Sequence, residues 1–163
     1  DHCCARRAAN NWDIILTFLL FKRDVFGILT RISRRQKILL SHPDLLHKKA
    51  FPIEMPSGSC MFVSKELFKS LGSFDPHTFL YYEENILTKK LSSRGRTSYC
   101  LPKIKCTHLG AGSTRRIRNI LLQKYNLDSA NYYLSTFGDM SFIQTFLWKL
   151  TVALWGIKFH VVR

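Results

Sequence analysis

Between residues 51 and 108 the chain alternates short apolar runs with segments of helical period, and turn residues separate them. This alternation constrains the fold more than any other feature. Short strands need partners and amphipathic helices need a face to cover, so interleaving the two gives a layered α/β arrangement. Met55-Pro56-Ser57-Gly58-Ser59 is turn-rich, and Cys60-Met61-Phe62-Val63 has the texture of a buried strand. Ser64 is placed to cap a helix through Leu71, with Glu66 in its first turn and Gly72 as its stop. Phe74-Asp75-Pro76 is a turn, and Phe79-Leu80-Tyr81-Tyr82 is an aromatic segment expected to be extended. Glu83-Glu84 opens a further helix, with Ile86, Leu87 and Leu91 on one face and Gly95 at its end. Residues 97–101 and 104–108 are predicted strand pieces on either side of Pro102.

The flanks are helical in pattern. Trp12, Ile15, Leu16, Leu19 and Leu20 recur at the spacing of a one-sided buried stripe, and the apolar run 14–21 is far short of the ~20 residues that span a bilayer. Arg31, Arg34, Arg35 and Lys37 form a basic cluster, either a solvated helix face or a surface for anionic lipid or phosphate. A short helical turn is expected over 44–49, after the break at Pro43. A long helix is expected over 115–137, with Ile117, Ile120, Leu127 and Leu134 on one side. In the last segment Ile143, Phe146, Leu147, Leu150, Ala153, Leu154, Ile157 and Val161 make a continuous apolar stripe, with Trp148 and Trp155 on its shoulders. Lys149 and Lys158 interrupt any span, so the segment fits an amphipathic helix at a membrane interface, or one packed on a further part of the protein. These patterns divide the chain into residues 1–138 and a terminal helix, 139–163.

At 163 residues the chain suits one domain or a piece of one, and its 46% hydrophobic content excludes a disordered tail. Lys and Arg number 25 against 11 acidic residues, and 25 − 11 = +14 calls for a polyanionic neighbour. Five cysteines without a CxxC pair are expected to be reduced thiols, and Cys100, Cys106 and His108 match no usual structural zinc spacing. No secretory signal pattern is visible, and a chain that opens without Met in a basic stretch is expected to be a fragment. No P-loop, GxGxxG turn or Ser-His-Asp order is visible.

Two places carry chemistry-bearing residues. An acidic pair at a helix start tends to stay ionised, because the helix N-terminus favours negative charge, and an ionised carboxylate can take a proton from an attacking hydroxyl. Glu83 and Glu84 fit that description, although acids in a first turn more often only complement the dipole. His108 ends a predicted strand before a Gly-rich loop, where it can ligate a divalent metal, while Ser113, Arg115 and Arg116 can hold phosphate oxygens. A lone His is more often structural.

Taken in order, Gly58-Ser59-Cys60-Met61-Phe62-Val63, Gly72-Ser73-Phe74-Asp75, Phe79-Leu80-Tyr81-Tyr82-Glu83-Glu84-Asn85 and His108-Leu109-Gly110-Ala111-Gly112-Ser113-Thr114 resemble the acceptor-side half of family 2 glycosyltransferases. The likeness is to the rhamnosyltransferase-like members that build bacterial surface polysaccharides, and it is strongest over residues 56–114. The resemblance implies a partial GT-A fold, an α/β layer with C-terminal helices, and inverting transfer of a sugar from a nucleotide-sugar donor to a glycan or polyprenyl-diphosphate-linked acceptor. It implies Glu84 as catalytic base with Glu83 in support, and His108 as ligand of a Mg²⁺ or Mn²⁺ ion. It further implies Asp75 ordering the acceptor loop, Tyr81 or Tyr82 as a sugar-stacking wall, and Gly58, Ser113, Arg115 and Arg116 in the substrate-binding set.

Two departures stand out. Glu84 stands where the family has Asp, with Asn85 following it, and the nucleotide-binding half with its Asp-x-Asp motif is not in these residues. The isolated chain is therefore expected to bind nucleotide sugar poorly and to turn over nothing. The implied setting is cytoplasmic, peripheral at the inner face of the cell membrane, on an anionic surface. The alternatives are a basic nucleic-acid-binding module, disfavoured because its aromatics sit beside acids, and a truncated pseudo-enzyme that only associates with membrane.

Overall fold

The computed structural model describes residues 5–20, 27–37, 42–107 and 117–161. Among them the chain is mixed α/β: β1 (Ala5–Arg6), α1 (Asn11–Leu19), α2 (Ile28–Gln36), a 3₁₀ turn (Pro43–His47), β2 (Phe51–Ile53), β3 (Met55–Pro56), α3 (Lys65–Ser70), α4 (Glu83–Ser92), β4 (Ser98–Cys100), α5 (Asn119–Phe137) and α6 (Phe142–Val161). These elements form two compact units. One comprises Asp1–Ala8, Thr30–Asp75 and Glu83–Gly110; the other comprises Ala9–Leu29, Pro76–Tyr82 and Ala111–Arg163.

The first unit holds both sheets, each a single antiparallel pair. β1 pairs with β3, and β2 pairs with β4 so that Phe51, Pro52 and Ile53 oppose Cys100, Tyr99 and Ser98. Alternation along β2 sends Phe51 and Ile53 into a small core with Ala5 and Cys100, which Leu45 and Leu46 of the 3₁₀ turn cover. Pro52 points out, at the position where a missing N–H costs least on a two-stranded edge. α3 forms where its cap predicts: the Ser64 hydroxyl accepts from the Leu67 N–H, and Gly72 closes the helix at φ +80. α4 buries Ile86 and Leu87, and its exit turns through Gly95 at φ +65.

Two predicted strands are absent. Residues 60–63, and 104–107 of the predicted strand 104–108, have no ladder, and Phe62 is 89% exposed where the sequence pattern predicts burial. An apolar run becomes a strand only when a neighbouring strand takes its backbone hydrogen bonds; among the described residues the Cys60 and Ile104 N–H groups donate instead to local turn carbonyls, those of Ser57 and Leu101. The segment 79–82 is not extended either. Tyr81 and Tyr82 take φ of +70 and +65, consecutive left-handed positions that cost side-chain-bearing residues roughly 1–2 kcal/mol each.

The second unit is helical. α1 starts at a capping box: the Asn10 side chain accepts from the Asp13 N–H, and the Asp13 carboxylate accepts from the Asn10 N–H. Its buried face is Asp13, Ile14, Ile15 and Phe18, so Trp12, predicted to be in the buried stripe, stands 42% exposed. α6 is rotated in the same sense. Trp148, Thr151 and Trp155 are its buried residues, while Ile143, Phe146, Leu150 and Ile157 of the predicted stripe face out. The reason is aromatic packing: Phe18 meets Trp148 edge-on at 5.6 Å and Trp155 at 5.8 Å. Each indole N–H also has a partner, Trp148 donating to Asn131 Oδ1 and Trp155 to the Phe18 carbonyl, both at 2.9 Å. No helix among the described residues is long and apolar enough to cross a membrane. The basic cluster of α2 shows Arg31 exposed; the side chains of Arg34 and Arg35 lie outside the described residues.

Candidate functional site

The acidic pair stands at the first two positions of α4. The preceding turn of the first unit is Ser57-Gly58-Ser59-Cys60, closed by the Cys60 N–H donating to the Ser57 carbonyl at 3.2 Å and by a 2.9 Å contact between the hydroxyls of Ser57 and Ser59. That turn presents the Gly58 N–H outward, and Glu84 Oε1 accepts from it at 2.9 Å across 26 positions of sequence. A charged acceptor on a backbone donor is among the stronger hydrogen bonds. Gly58 and Glu84, nominated separately, thus meet directly.

Glu83 behaves differently. Its Oε2 is buried with no hydrogen-bond partner among the described residues. Burial pushes its carboxyl above the usual range, its own backbone N–H pulls it partly back, and the charge of Glu84 pushes it up again. The two adjacent carboxylates thus sit in unlike surroundings, Glu83 Oε2 buried without a partner among the described residues and Glu84 Oε1 bonded to a backbone N–H.

Asp75 is 9% exposed, and its Oδ2 lies 3.6 Å from Lys90 Nζ on α4. The Phe74 ring beside it packs edge-on against Phe68 of α3 at 5.1 Å. The Gly72–Asp75 turn is therefore pinned from both sides. Lys90 escaped the sequence reading, although its place about one and two-thirds turns after Glu84, on a helix following an acidic turn, is the signal that could have found it.

Tyr81 and Tyr82 belong to the second unit, where segment 76–82 is riveted to α5. His77 stacks on Tyr132 at 4.8 Å, Phe79 meets Tyr125 at 5.0 Å, Tyr82 meets Tyr133 at 5.5 Å, and the Ser129 hydroxyl donates to the Leu80 carbonyl at 2.8 Å. These contacts hold the two left-handed tyrosines. Burial, with Tyr133 alongside, drives the Tyr82 phenol far above its ordinary range, so it stays neutral. The Tyr82 ring is committed to packing; the Tyr81 ring stands exposed.

His108, Ser113, Arg115 and Arg116 lie outside the described residues. Among the described residues no three His, Cys, Asp or Glu side chains gather as a metal-binding group. The predicted metal ligand His108 is itself outside the described residues, and no chemical step below is routed through a metal ion.

Sequence reasoning also missed a cavity of about 490 Å³ in the first unit. Phe62, Leu67, Leu87, Leu91, Tyr99 and Ile104 give it apolar walls, and Thr88, whose hydroxyl is buried without a partner among the described residues, lies on its α4 side. Glu83 and Glu84 do not line it.

Comparison with known proteins agrees with a glycosyltransferase-like relationship for part of the chain. Over 65 residues it is 35% identical to an N-acetylglucosaminyl-diphospho-decaprenol L-rhamnosyltransferase of Mycobacterium tuberculosis (strain CDC 1551 / Oshkosh), and equally to the protein of that name from strain ATCC 25618 / H37Rv. The match covers 40% of this chain and 21% of each relative, so the chain spans about a fifth of the length of the relatives it matches. No family model and no solved structure matches it.

Proposed function

We propose that this chain is the acceptor-side part of an inverting glycosyltransferase with Glu84 as its general base. The observation that carries the reading is Glu84 at the start of α4, one oxygen held on the Gly58 N–H, in a chain partly similar to a rhamnosyltransferase. Glu84 makes no other hydrogen bond among the described residues, so Oε2 is available to accept a proton.

The acceptor hydroxyl gives its proton to Glu84 Oε2 as its oxygen bonds to the anomeric carbon of the donor sugar. The bond from that carbon to the diphosphate breaks on the opposite face, and the electron pair leaves with the nucleoside diphosphate. A positioned base of this kind contributes typically 10²–10⁴-fold in rate. Burial keeps the proton affinity of Glu83 high, and the base role falls to Glu84, whose Oε1 is anchored on the Gly58 N–H. Asp75, held by Lys90, orders the turn that faces the acceptor.

The relatives' name gives the first candidates to try: a nucleotide-linked rhamnose as donor, and a polyprenyl-diphosphate-linked sugar as acceptor. A family 2, GT-A assignment goes with the reading, as does a place at the cytoplasmic face of a membrane. Supporting that place are the net charge of +14 and the outward stripe of Phe142, Ile143, Phe146, Leu150 and Ile157 on α6.

The test is nucleoside-diphosphate release by the natural-length protein, with a panel of nucleotide sugars and a polyprenyl-diphosphate-linked acceptor. Acceptor-dependent release that falls by two or more decades in Glu84→Gln supports the reading. Absence of release with every donor rejects it.

A further inference from the structure

We infer that Gly58 is the positioning residue for Glu84, and that its lack of a side chain, not its backbone freedom, is what the site uses. The inference rests on the reading of Glu84 as base. Gly58 does not adopt a positive φ, unlike Gly27, Gly72 and Gly95, so an alanine there meets no backbone strain. What it meets is Glu84. A Cβ built on Gly58 lies 2.5 Å from Glu84 Oε1, 3.0 Å from its Cδ and 3.2 Å from its Cγ.

The first of those distances is far inside van der Waals contact, and all three nearest atoms belong to one flexible side chain. Adding a methyl group at residue 58 therefore leaves the fold in place and expels the carboxylate from its seat. The side chain of Glu84 is long enough to lie along the Gly58 backbone and take its N–H, and only a residue without Cβ lets it do so. The pair acts as a latch that fixes one carboxylate oxygen and thereby aims the other.

A chain-length swap makes this testable. Aspartate at 84 is one methylene shorter and draws the carboxyl back from residue 58. Misplacing a reacting group by about 1 Å can cost on the order of 10²-fold. Gly58→Ala is thus expected to lower kcat for sugar transfer about 10²-fold, with donor KM and melting temperature unchanged. In a Glu84→Asp background the same substitution is expected to cost less than about threefold. A second readout needs no turnover: the Gly58 amide proton is expected to exchange about tenfold faster in Glu84→Ala than in wild type, the value of one ordinary hydrogen bond.

Three results overturn the latch: an equal cost of Gly58→Ala in both backgrounds, no cost in either, or a fall in melting temperature that makes residue 58 a fold position. If wild type transfers no sugar while its Gly58 amide is protected by Glu84, the base reading and the positioning role fall together. If wild type is active and the amide exchange ignores Glu84, only the latch falls.

Discussion

The helical unit and the unit that carries the acidic pair are stabilised in different ways. In the helical unit, Phe18 and two fully enclosed tryptophans lock α1 to α6, and each indole N–H is satisfied. In the other, strands of two or three residues pair only two deep, an apolar cavity lies open beside α4, and a few polar and ring contacts hold the turns. The first arrangement gives rigidity from buried area; the second leaves two half-buried carboxylates in unlike surroundings. Function is easier to place in the second, because a group that must exchange protons cannot be sealed in an aromatic core.

The largest expected effect breaks the comparison at its strongest point. Trp155→Ala should cost the helical unit about 3–5 kcal/mol, the usual loss for a large aromatic in a packed core, measured by urea unfolding with far-ultraviolet dichroism. Lys90→Ala comes next. It removes an ion-pair partner of the buried Asp75, and because Lys90 is itself a quarter exposed the loss should be about 1–2 kcal/mol. If Lys90→Ala proved as costly as Trp155→Ala, the two units would not differ as described.

The outward stripe of α6 sharpens the contrast from the other side. Ile143→Asp with Phe146→Asp should change stability by no more than about 0.5 kcal/mol, since both are more than 60% exposed, while abolishing sedimentation with phosphatidylglycerol vesicles. Unchanged sedimentation would remove that surface from the account.

The smallest effect concerns Glu83. Its folded-state proton affinity lies above the unfolded one, so its contribution is intact below the ordinary carboxyl range and is lost as pH rises through the higher folded value. Glu83→Gln should cancel that loss, leaving the variant slightly more stable than wild type at neutral pH and indistinguishable below pH 4, in parallel thermal melts. A variant less stable at neutral pH would reverse the sign.

These contrasts also explain what was legible in the sequence. α3 and α4 were, because Ser64, Gly72 and Gly95 are local signals that act within one turn. The strands expected at 60–63 and 104–107 failed because strand formation depends on a distant partner that no local pattern specifies. α6 carries large apolar residues off the expected stripe as well as on it, Trp148 and Trp155 among them, so periodicity could not say which side would be buried; the Phe18 ring decided it. At the site, Glu83, Glu84 and Asp75 were visible as residue types in suggestive order. The Gly58–Glu84 bond was not, since it joins positions 26 apart through a backbone N–H that any residue but proline carries. The left-handed backbone of Tyr81 and Tyr82 was hidden for a related reason: α5 imposes it by ring contacts, against their own preference.

The most direct test compares the two neighbouring acids in one assay. With nucleotide sugar and polyprenyl-linked acceptor at saturation, kcat is measured for Glu84→Gln and Glu83→Gln in the natural-length protein. The account expects a loss of two or more decades for Glu84→Gln and less than about tenfold for Glu83→Gln. The reverse order, with Glu83 indispensable and Glu84 replaceable, would contradict it.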